Sequence, residues 1–251
     1  MIQIIISPAK KMNICEEFPG TATTPVFAEQ TNLLYQTLKQ MSFEELQKLW
    51  KCSEKLALQN TKRLCEFTPA DAVTPAVLAY EGIQYQYLAP GIFSDTQWDY
   101  VNRHLNILSG FYGILRPFDG VLPYRLEMQA KIKFKGYKSL YEFWGAEPAK
   151  KLISGEEVLV NLASKEYART VLPYLPEEIR CVTPVFGELE EGRVVEKGVY
   201  VKMARGEMVR FMAERGVRDA EGLKGFDRLG YRYCQEKSGD KEYVFIKIRE
   251  Q

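Results

Sequence analysis

The stretch LNILSGFYGILRPFDGVLPYRLEM, residues 105–128, interrupts the regular patterns on either side of it. Its apolar residues keep neither a period of two nor one of 3.6 for long, so it predicts neither one strand nor one helix. Three glycines permit unusual backbone conformations, and two prolines favour extended geometry in the residue before each. These residues are Gly110, Gly113, Gly120, Pro117 and Pro123. The stretch therefore predicts turn-rich backbone that presents charge as well as filling space.

The two arginines of this stretch allow two interpretations. Arg116 and Arg125 each sit beside a proline or in a turn, a setting that can hold a guanidinium toward an anion. Alternatively, the stretch is a structural loop in which the arginines pair with Asp119 and Glu127. The residues alone leave both interpretations open.

Charge and composition describe an ordinary globular chain of 251 residues that is 46% hydrophobic and 27% charged. It carries 34 Lys and Arg against 33 Asp and Glu, a formal net charge of +1. A basic field over the whole protein is excluded, so any nucleic-acid surface must be local.

Cysteine and histidine contents argue against a metal site or a disulfide framework. The five cysteines are odd in number, widely spaced and without a C-x-x-C pair, which fits a reducing cytoplasm. His104 is the only histidine. No apolar run approaches about 18 residues, and the apolar start is too short for a signal peptide. We therefore expect a cytoplasmic protein without a bound metal or other cofactor, and no membrane partner.

Local patterns predict the strands and helices. Residues 2–6 and 158–162 are apolar runs typical of buried strands, and residues 27–67 are predicted to be helical. Capping boxes at Ser42, Ser94 and Ser139 predict helix starts, the last helix running to about residue 153. Two short helical pieces are predicted in residues 75–88, on either side of Gly82.

The C-terminal third predicts more strands. Residues 181–189 with 194–195, and 231–234 with 243–248, are predicted hairpins, and residues 200–202 a short strand before a helix over 203–215. Together the elements predict one mixed α/β (α+β) domain over residues 1–251, with a central mixed sheet flanked by helices.

Three predicted strands are followed by polar loops, at residues 7–11, 161–165 and 202–206. Strand-to-helix turns expose backbone N–H groups, and ligands of α/β sheets bind at the carboxyl ends of strands. If the turns lie side by side, their polar residues would meet Arg116 and Arg125 in a phosphate- or carboxylate-binding cleft. These residues are Ser7, Lys10, Asn161, Ser164, Lys202, Arg205 and Arg210. The alternative is that the charged ones are merely solvated.

Two windows are locally basic. Residues 131–151 hold six Lys against two Glu, with aromatic residues between them, a pattern suited to nucleic acid. Residues 193–218 hold seven Lys or Arg against three Glu. Charge runs of this kind also occur on ordinary solvated faces. Tyr80-Glu81-Gly82-Ile83 resembles the turn of a helix-hairpin-helix element, with Gln84 in place of its second glycine.

Seven motifs in order resemble the YaaA family of bacterial peroxide stress proteins. They are SPAKK (7–11), LSGFYGILRPFDG (108–120), PYRLEM (123–128), LYEFWG (140–145), NLASKEY (161–167), KMARGEMVRF (202–211) and LKGFDRLGYRY (223–233). The resemblance implies a cytosolic single-domain protein with an unusual mixed α/β fold. It also implies a response to hydrogen peroxide that lowers unincorporated iron and oxidative DNA damage.

The resemblance further implies a positively charged cleft and a helix-hairpin-helix-like element that bind double-stranded DNA. By motif match the cleft residues are Lys10, Arg116, Arg125, Lys202, Arg205 and Arg210. No catalytic residue carries over, so whether the protein is an enzyme stays open. The alternative is an enzyme or binding protein for a small phosphorylated or nucleotide-like ligand, with Ser7, Asp119 or Glu127 performing the chemistry.

Overall fold

A computed structural model describes residues 2–15, 17–18, 20–153, 155 and 158–248. The helices are Ala28–Lys39 (α1), Phe43–Trp50 (α2), Glu54–Glu66 (α3), Ala76–Ala79 (α4), Ile83–Leu88 (α5), Asp95–His104 (α6), Leu140–Trp144 (α7), Glu147–Leu152 (α8), Lys165–Ala168 (α9) and Gly198–Arg215 (α10). The strands are Ile2–Ile6 (β1), Lys11–Met12 (β2), Thr74–Pro75 (β3), Tyr80–Glu81 (β4), Leu105–Ser109 (β5), Gly113–Leu115 (β6), Gly120–Val121 (β7), Val158–Leu162 (β8), Arg180–Glu190 (β9), Arg193–Val195 (β10), Tyr231–Tyr233 (β11) and Glu242–Lys247 (β12).

The central sheet is mixed, which confirms the predicted fold class. Its strand order is β11-β12-β9-β8-β1-β5-β6, with β10 paired to β9. Strands β12, β9, β8, β1 and β5 run parallel, whereas β6, β10 and β11 are antiparallel to their neighbours. Ile4, Ile5 and Ile6 of β1 are fully buried, as expected for a strand in the middle of a parallel sheet.

The order of strands creates a switch point beside β1. From β1 the chain reaches β5 on one side, and it later returns to β8 on the other side. Connections that leave neighbouring strands in opposite directions open a crevice at the carboxyl ends of those strands, where ligands of α/β sheets bind. The crevice here lies between the ends of β1 and β8.

Several helix predictions are confirmed and one is wrong. The predicted helical region 27–67 forms α1, α2 and α3, and both Ser42 and Ser94 form full capping boxes. Ser139 caps α7, but the helix ends at Trp144 because Gly145 has φ +48°. A second helix, α8, then begins, so the single helix predicted from 139 to 153 is two.

The strand predicted at residues 200–202 is also wrong, because these residues belong to α10. Val201, Ala204 and Met208 are buried, and their spacing of three and four residues places them on one helical face. Packing of this face outweighs the preference of Val and Tyr for strands. None of the described helices is long and apolar enough to cross a membrane.

The stretch 105–128 forms β5, a tight turn and β6, and then folds back over the turn. Ser109 Oγ accepts hydrogen bonds from the N–H groups of Phe111 and Tyr112, at 3.1 and 2.9 Å. A Cβ atom on Gly110 would lie 2.5 Å from the backbone oxygen of Leu126, so only glycine fits beneath the returning chain. This return brings Arg125 and Glu127 to the carboxyl end of β1.

Candidate functional site at the strand ends

Ser7 and Ser164 meet at the switch point. Ser7 follows β1 and Ser164 follows β8, and these strands are hydrogen-bonded neighbours. The Ser164 N–H donates to Ser7 Oγ at 2.8 Å, and the Ser7 hydroxyl donates to Ser164 Oγ at 3.2 Å. Asn161 is buried nearby, where its Oδ1 accepts from the Ala163 N–H at 3.1 Å. Two of the three predicted strand-end turns therefore lie side by side.

Charged side chains stand over this pair of turns, and a carboxylate lies between the two cations. Lys10 Nζ is 2.8 Å from Glu127 Oε1, and Arg125 Nη2 is 3.9 Å from the same oxygen. Lys10 is 65% exposed and Arg125 only 13%. We call Ser7, Lys10, Arg125, Glu127, Ser164 and Glu166 the strand-end cleft. Lys10, Arg125 and Glu127 line two cavities there, of about 150 and 70 Å³.

Glu166 adds a second carboxylate to the strand-end cleft. It lies in the first turn of α9, and its Oε1 accepts from the Gln129 N–H at 3.2 Å. Burial raises the pKa of Glu166, and the nearby charge of Glu127 raises it further. The cleft thus combines two cations with two carboxylates and has no strong net charge.

Arg116 lies elsewhere and is held by the protein itself. Because β6 is antiparallel to β5, the chain leaves β6 toward the end of the sheet where β1 and β5 begin. Arg116 there lines a cavity with Gln3 and Lys151. Its Nη2 and Nε donate to Asp119 Oδ1 at 2.7 and 3.0 Å, and Asp119 is fully buried. For Arg116, therefore, the second interpretation applies: this arginine belongs to a structural loop and pairs with Asp119.

Lys202, Arg205 and Arg210 lie along α10 and not in a strand-end turn. Lys202 is exposed, whereas burial lowers the pKa of Arg205, whose Nε has no hydrogen-bond partner within the described chain. Arg210 Nε donates to Glu214 at 2.8 Å, and Glu214 also binds Arg228. No hydrogen bond or ion pair between described residues joins these three to the strand-end cleft. The convergence of all three turns is not found, because residues 202–206, predicted as a turn after a strand, lie inside α10.

The first basic window forms a projecting hairpin. In residues 131–138, Ile132 and Phe134 are buried, and Phe134 bridges to Tyr137 across a turn with positive φ at Lys135 and Gly136. We call residues 131–138 the lysine hairpin. Its four lysines are exposed, and none makes an ion pair with any described residue; they are Lys131, Lys133, Lys135 and Lys138. Gln129 and Ala130 line the strand-end cleft, so the hairpin leaves from the rim of the cleft.

In the second basic window two cations, Lys197 and Arg210, are paired with carboxylates. Lys197 Nζ lies 2.8 Å from Glu188 and 3.3 Å from Glu190. Strand β4, which contains Glu81, pairs with β2, and Glu81 accepts from Lys11 at 2.6 Å. The helices flanking β4, α4 and α5, have only four and six residues. The remaining cations of the second window are spread over residues 193–218, whereas the lysine hairpin brings four unpaired lysines together within eight residues.

Comparison with known proteins identifies the family. The family model described as peroxide stress protein YaaA matches residues 2–237. The chain belongs to the YaaA family. A UPF0246 protein of Desulfitobacterium hafniense is 50% identical over 246 residues, which are 98% of each chain. UPF0246 proteins of Pediococcus pentosaceus and Lachnoclostridium phytofermentans are each 48% identical over 246 residues, covering 98% and 96% of those relatives.

Family membership confirms the resemblance found in the motifs and supports a general role in oxidative stress. Two features of this YaaA family member were not predicted. Glu166 lies inside the motif NLASKEY, two residues after Ser164, but it was not among the predicted site residues. The lysine hairpin lies in a predicted basic window, but its turn was not predicted. The alternation KIKFK at residues 131–135 is the signal in the sequence that separates the buried Ile132 and Phe134 from the exposed lysines.

Proposed function

We propose that this YaaA family member binds double-stranded DNA without sequence preference, and that this binding is its role during peroxide stress. The observation that carries the proposal is the lysine hairpin, with four exposed lysines that no described carboxylate neutralises. Lysines on DNA phosphates release condensed counterions, and this release supplies the free energy of non-specific binding. Tyr137, 37% exposed at the same hairpin, offers a ring that can pack against sugar or base.

The rim of the strand-end cleft extends this surface. Lys10 and Lys51 are exposed and line the same cavity as Gln129 and Ala130, where the hairpin begins. Deeper in the cleft, Glu127 and Glu166 would repel phosphate. We therefore propose that the duplex binds along the rim and the lysine hairpin, outside the cleft.

The alternative, a small phosphorylated or nucleotide-like ligand in the same cleft, has less support. Lys10 already faces Glu127 at 2.8 Å, and Glu166 adds a second carboxylate beside it. A phosphate would have to displace Glu127 from Lys10 before it could pair with that cation. This ligand class remains the alternative if DNA does not bind.

The proposal also includes a cytoplasmic location and protection against iron-driven damage. A cytoplasmic location suits a DNA-binding protein with five free cysteines. Protection against iron-driven damage is proposed as a consequence of DNA binding and stays a prediction. Within the described residues, no group of three or more His, Cys, Asp or Glu side chains is arranged to hold a metal ion.

Fluorescence anisotropy of a labelled duplex across a salt series tests the proposal. The variant replaces Lys131, Lys133 and Lys135 by Gln, and a matched control replaces Lys39, Lys237 and Lys241, three exposed lysines outside both the hairpin and the candidate cleft residues. Each lost phosphate contact lowers the slope of log K against log salt by about 0.9. We expect the hairpin variant to lose a slope of up to about 2.7 and the control to keep the wild-type slope.

Two outcomes would refute the assignment. If the wild type does not bind at low salt, DNA is not the partner. If both triple variants weaken binding equally, net charge and not the lysine hairpin determines affinity. Circular dichroism of both variants shows whether the fold is intact.

A further inference from the structure

A second pocket lies behind Arg125, between the helices α1 to α3 and the stretch 105–128. We call it the aromatic pocket, and its volume is about 40 Å³. The residues that line it include Tyr35, Trp50, Arg63, Phe111, Tyr124 and Arg125. Arg125 and Trp50 also line the strand-end cleft, so the two sites share one wall. None of the residues that line the aromatic pocket is an Asp or Glu.

Two buried donors that line this pocket have no acceptor among the described residues. Tyr35 is 4% exposed and Trp50 is 5% exposed. The Tyr35 hydroxyl and the Trp50 Nε1 make no hydrogen bond with any described residue. An indole N–H can only donate, so the group that satisfies Trp50 must be an acceptor. Buried polar groups are almost always hydrogen-bonded, and two such orphans facing one pocket need an explanation.

Two guanidinium groups in the same pocket are also short of acceptors. Arg63 has no side-chain hydrogen bond or ion pair with a described residue, and burial lowers its pKa. Arg125 is largely buried, and its nearest acceptors are Trp50 O at 3.4 Å and Glu127 at 3.9 Å. Guanidinium groups donate only, and their planar arrangement of N–H groups matches a carboxylate.

We propose that the aromatic pocket binds a short-chain carboxylate, whose oxygens accept from Arg63, Arg125 and the Trp50 indole. One water needs about 10–15 Å³ of such volume, so the pocket holds roughly three or four heavy atoms. A two-carbon carboxylate such as acetate, with four heavy atoms, has this size, and its methyl group would pack on Phe111 and Tyr124. The apolar lining and narrow space disfavour a tetrahedral dianion such as phosphate. The proposal goes beyond DNA binding and does not depend on it.

The test follows the indole N–H signal of Trp50 by NMR during titration with sodium acetate, at constant ionic strength maintained with sodium chloride. The chain has three tryptophans, so Trp50→Phe assigns the signal. We expect a saturable shift with acetate and at least about tenfold weaker binding in Arg63→Gln. Arg103→Gln, which removes an exposed arginine on α6, should bind acetate as the wild type does.

Titrations with anions of different size and charge complete the test. Formate should bind, whereas benzoate and inorganic phosphate should bind at least about tenfold more weakly than acetate. The proposal is overturned if the shift never saturates, if Arg63→Gln binds acetate unchanged, or if phosphate binds as well as acetate. Tyr35→Phe removes only the hydroxyl and retains the shape of the pocket. Weaker acetate binding in this variant would therefore support a direct contact between the Tyr35 hydroxyl and the ligand.

Discussion

Replacing Gly206 by alanine should destabilise the protein by about 2 kcal/mol, because α10 touches α5 at this residue. A Cβ atom there would lie 2.0 Å from the backbone oxygen of Gln84 and 2.9 Å from the backbone nitrogen of Leu88. Backbone atoms cannot rotate away, so the helices must separate. Overpacking of this kind costs up to about 3 kcal/mol, and the better helix propensity of alanine returns about 1 kcal/mol.

Urea denaturation monitored by circular dichroism measures the change, and Gly198→Ala is the matched control. Gly198 is the first residue of the same helix, and a Cβ atom on it would meet nothing within 4 Å. We expect this control to be neutral or stabilised by up to about 1 kcal/mol. The close contact of α5 and α10 is refuted if Gly206→Ala is as stable as Gly198→Ala.

Displacement of α5 should also reach the strand-end cleft. Tyr85 of α5 is buried, and its hydroxyl donates to the backbone oxygen of Ser7 at 3.0 Å. Separation of the helices would weaken this bond and loosen the turn after β1. Gly206 therefore fixes the site indirectly, through the position of α5.

Two further predictions concern charged groups outside the cleft. Asp119→Ala removes the buried carboxylate that accepts from Thr23 and from the half-exposed Arg116, and it should cost about 1.5–3 kcal/mol, read from urea denaturation, whereas a loss below about 0.5 kcal/mol would contradict these bonds. The pKa of His104 should lie below 6.5, because burial and the charge of Arg103 disfavour its protonation more than its bond to Ile2 O favours it. The unfolded chain then takes up the proton first, so stability should fall as pH drops from about 6.5 toward the folded pKa. The single imidazole signal in proton NMR checks this pKa, which Arg103→Gln should raise.

The sequence was informative where local physics decides the structure. The isoleucines of residues 2–6 could only be a buried strand or a buried helix segment, and the Ser-Pro step after them favoured the strand. The capping boxes at Ser42 and Ser94 satisfy their own backbone groups within four residues, so no distant contact was needed to predict them. The proximity of Ser7 and Ser164 could also be predicted, because neighbouring parallel strands end at the same edge of the sheet.

Other features depended on contacts between distant residues. Residues 200–202 carry strand-forming side chains, and only the packing of Val201 and Ala204 against the rest of the molecule makes them helical. The position of Arg116 depended on the reversal of the chain between β5 and β6, which placed it away from Ser7. Neither the helical packing nor the chain reversal could be predicted from local sequence patterns.

Pairing, more than the count of charges, determines where this protein can meet an anion. The formal net charge of +1 argued against a basic surface, but it averages cations that have partners with cations that have none. Arg116, Arg210 and Lys197 each lie within 3 Å of a carboxylate, so an incoming phosphate would have to displace that carboxylate. The lysine hairpin requires no such exchange. If DNA binds as proposed, its affinity should therefore follow the four unpaired lysines of the hairpin more closely than the total charge of the chain.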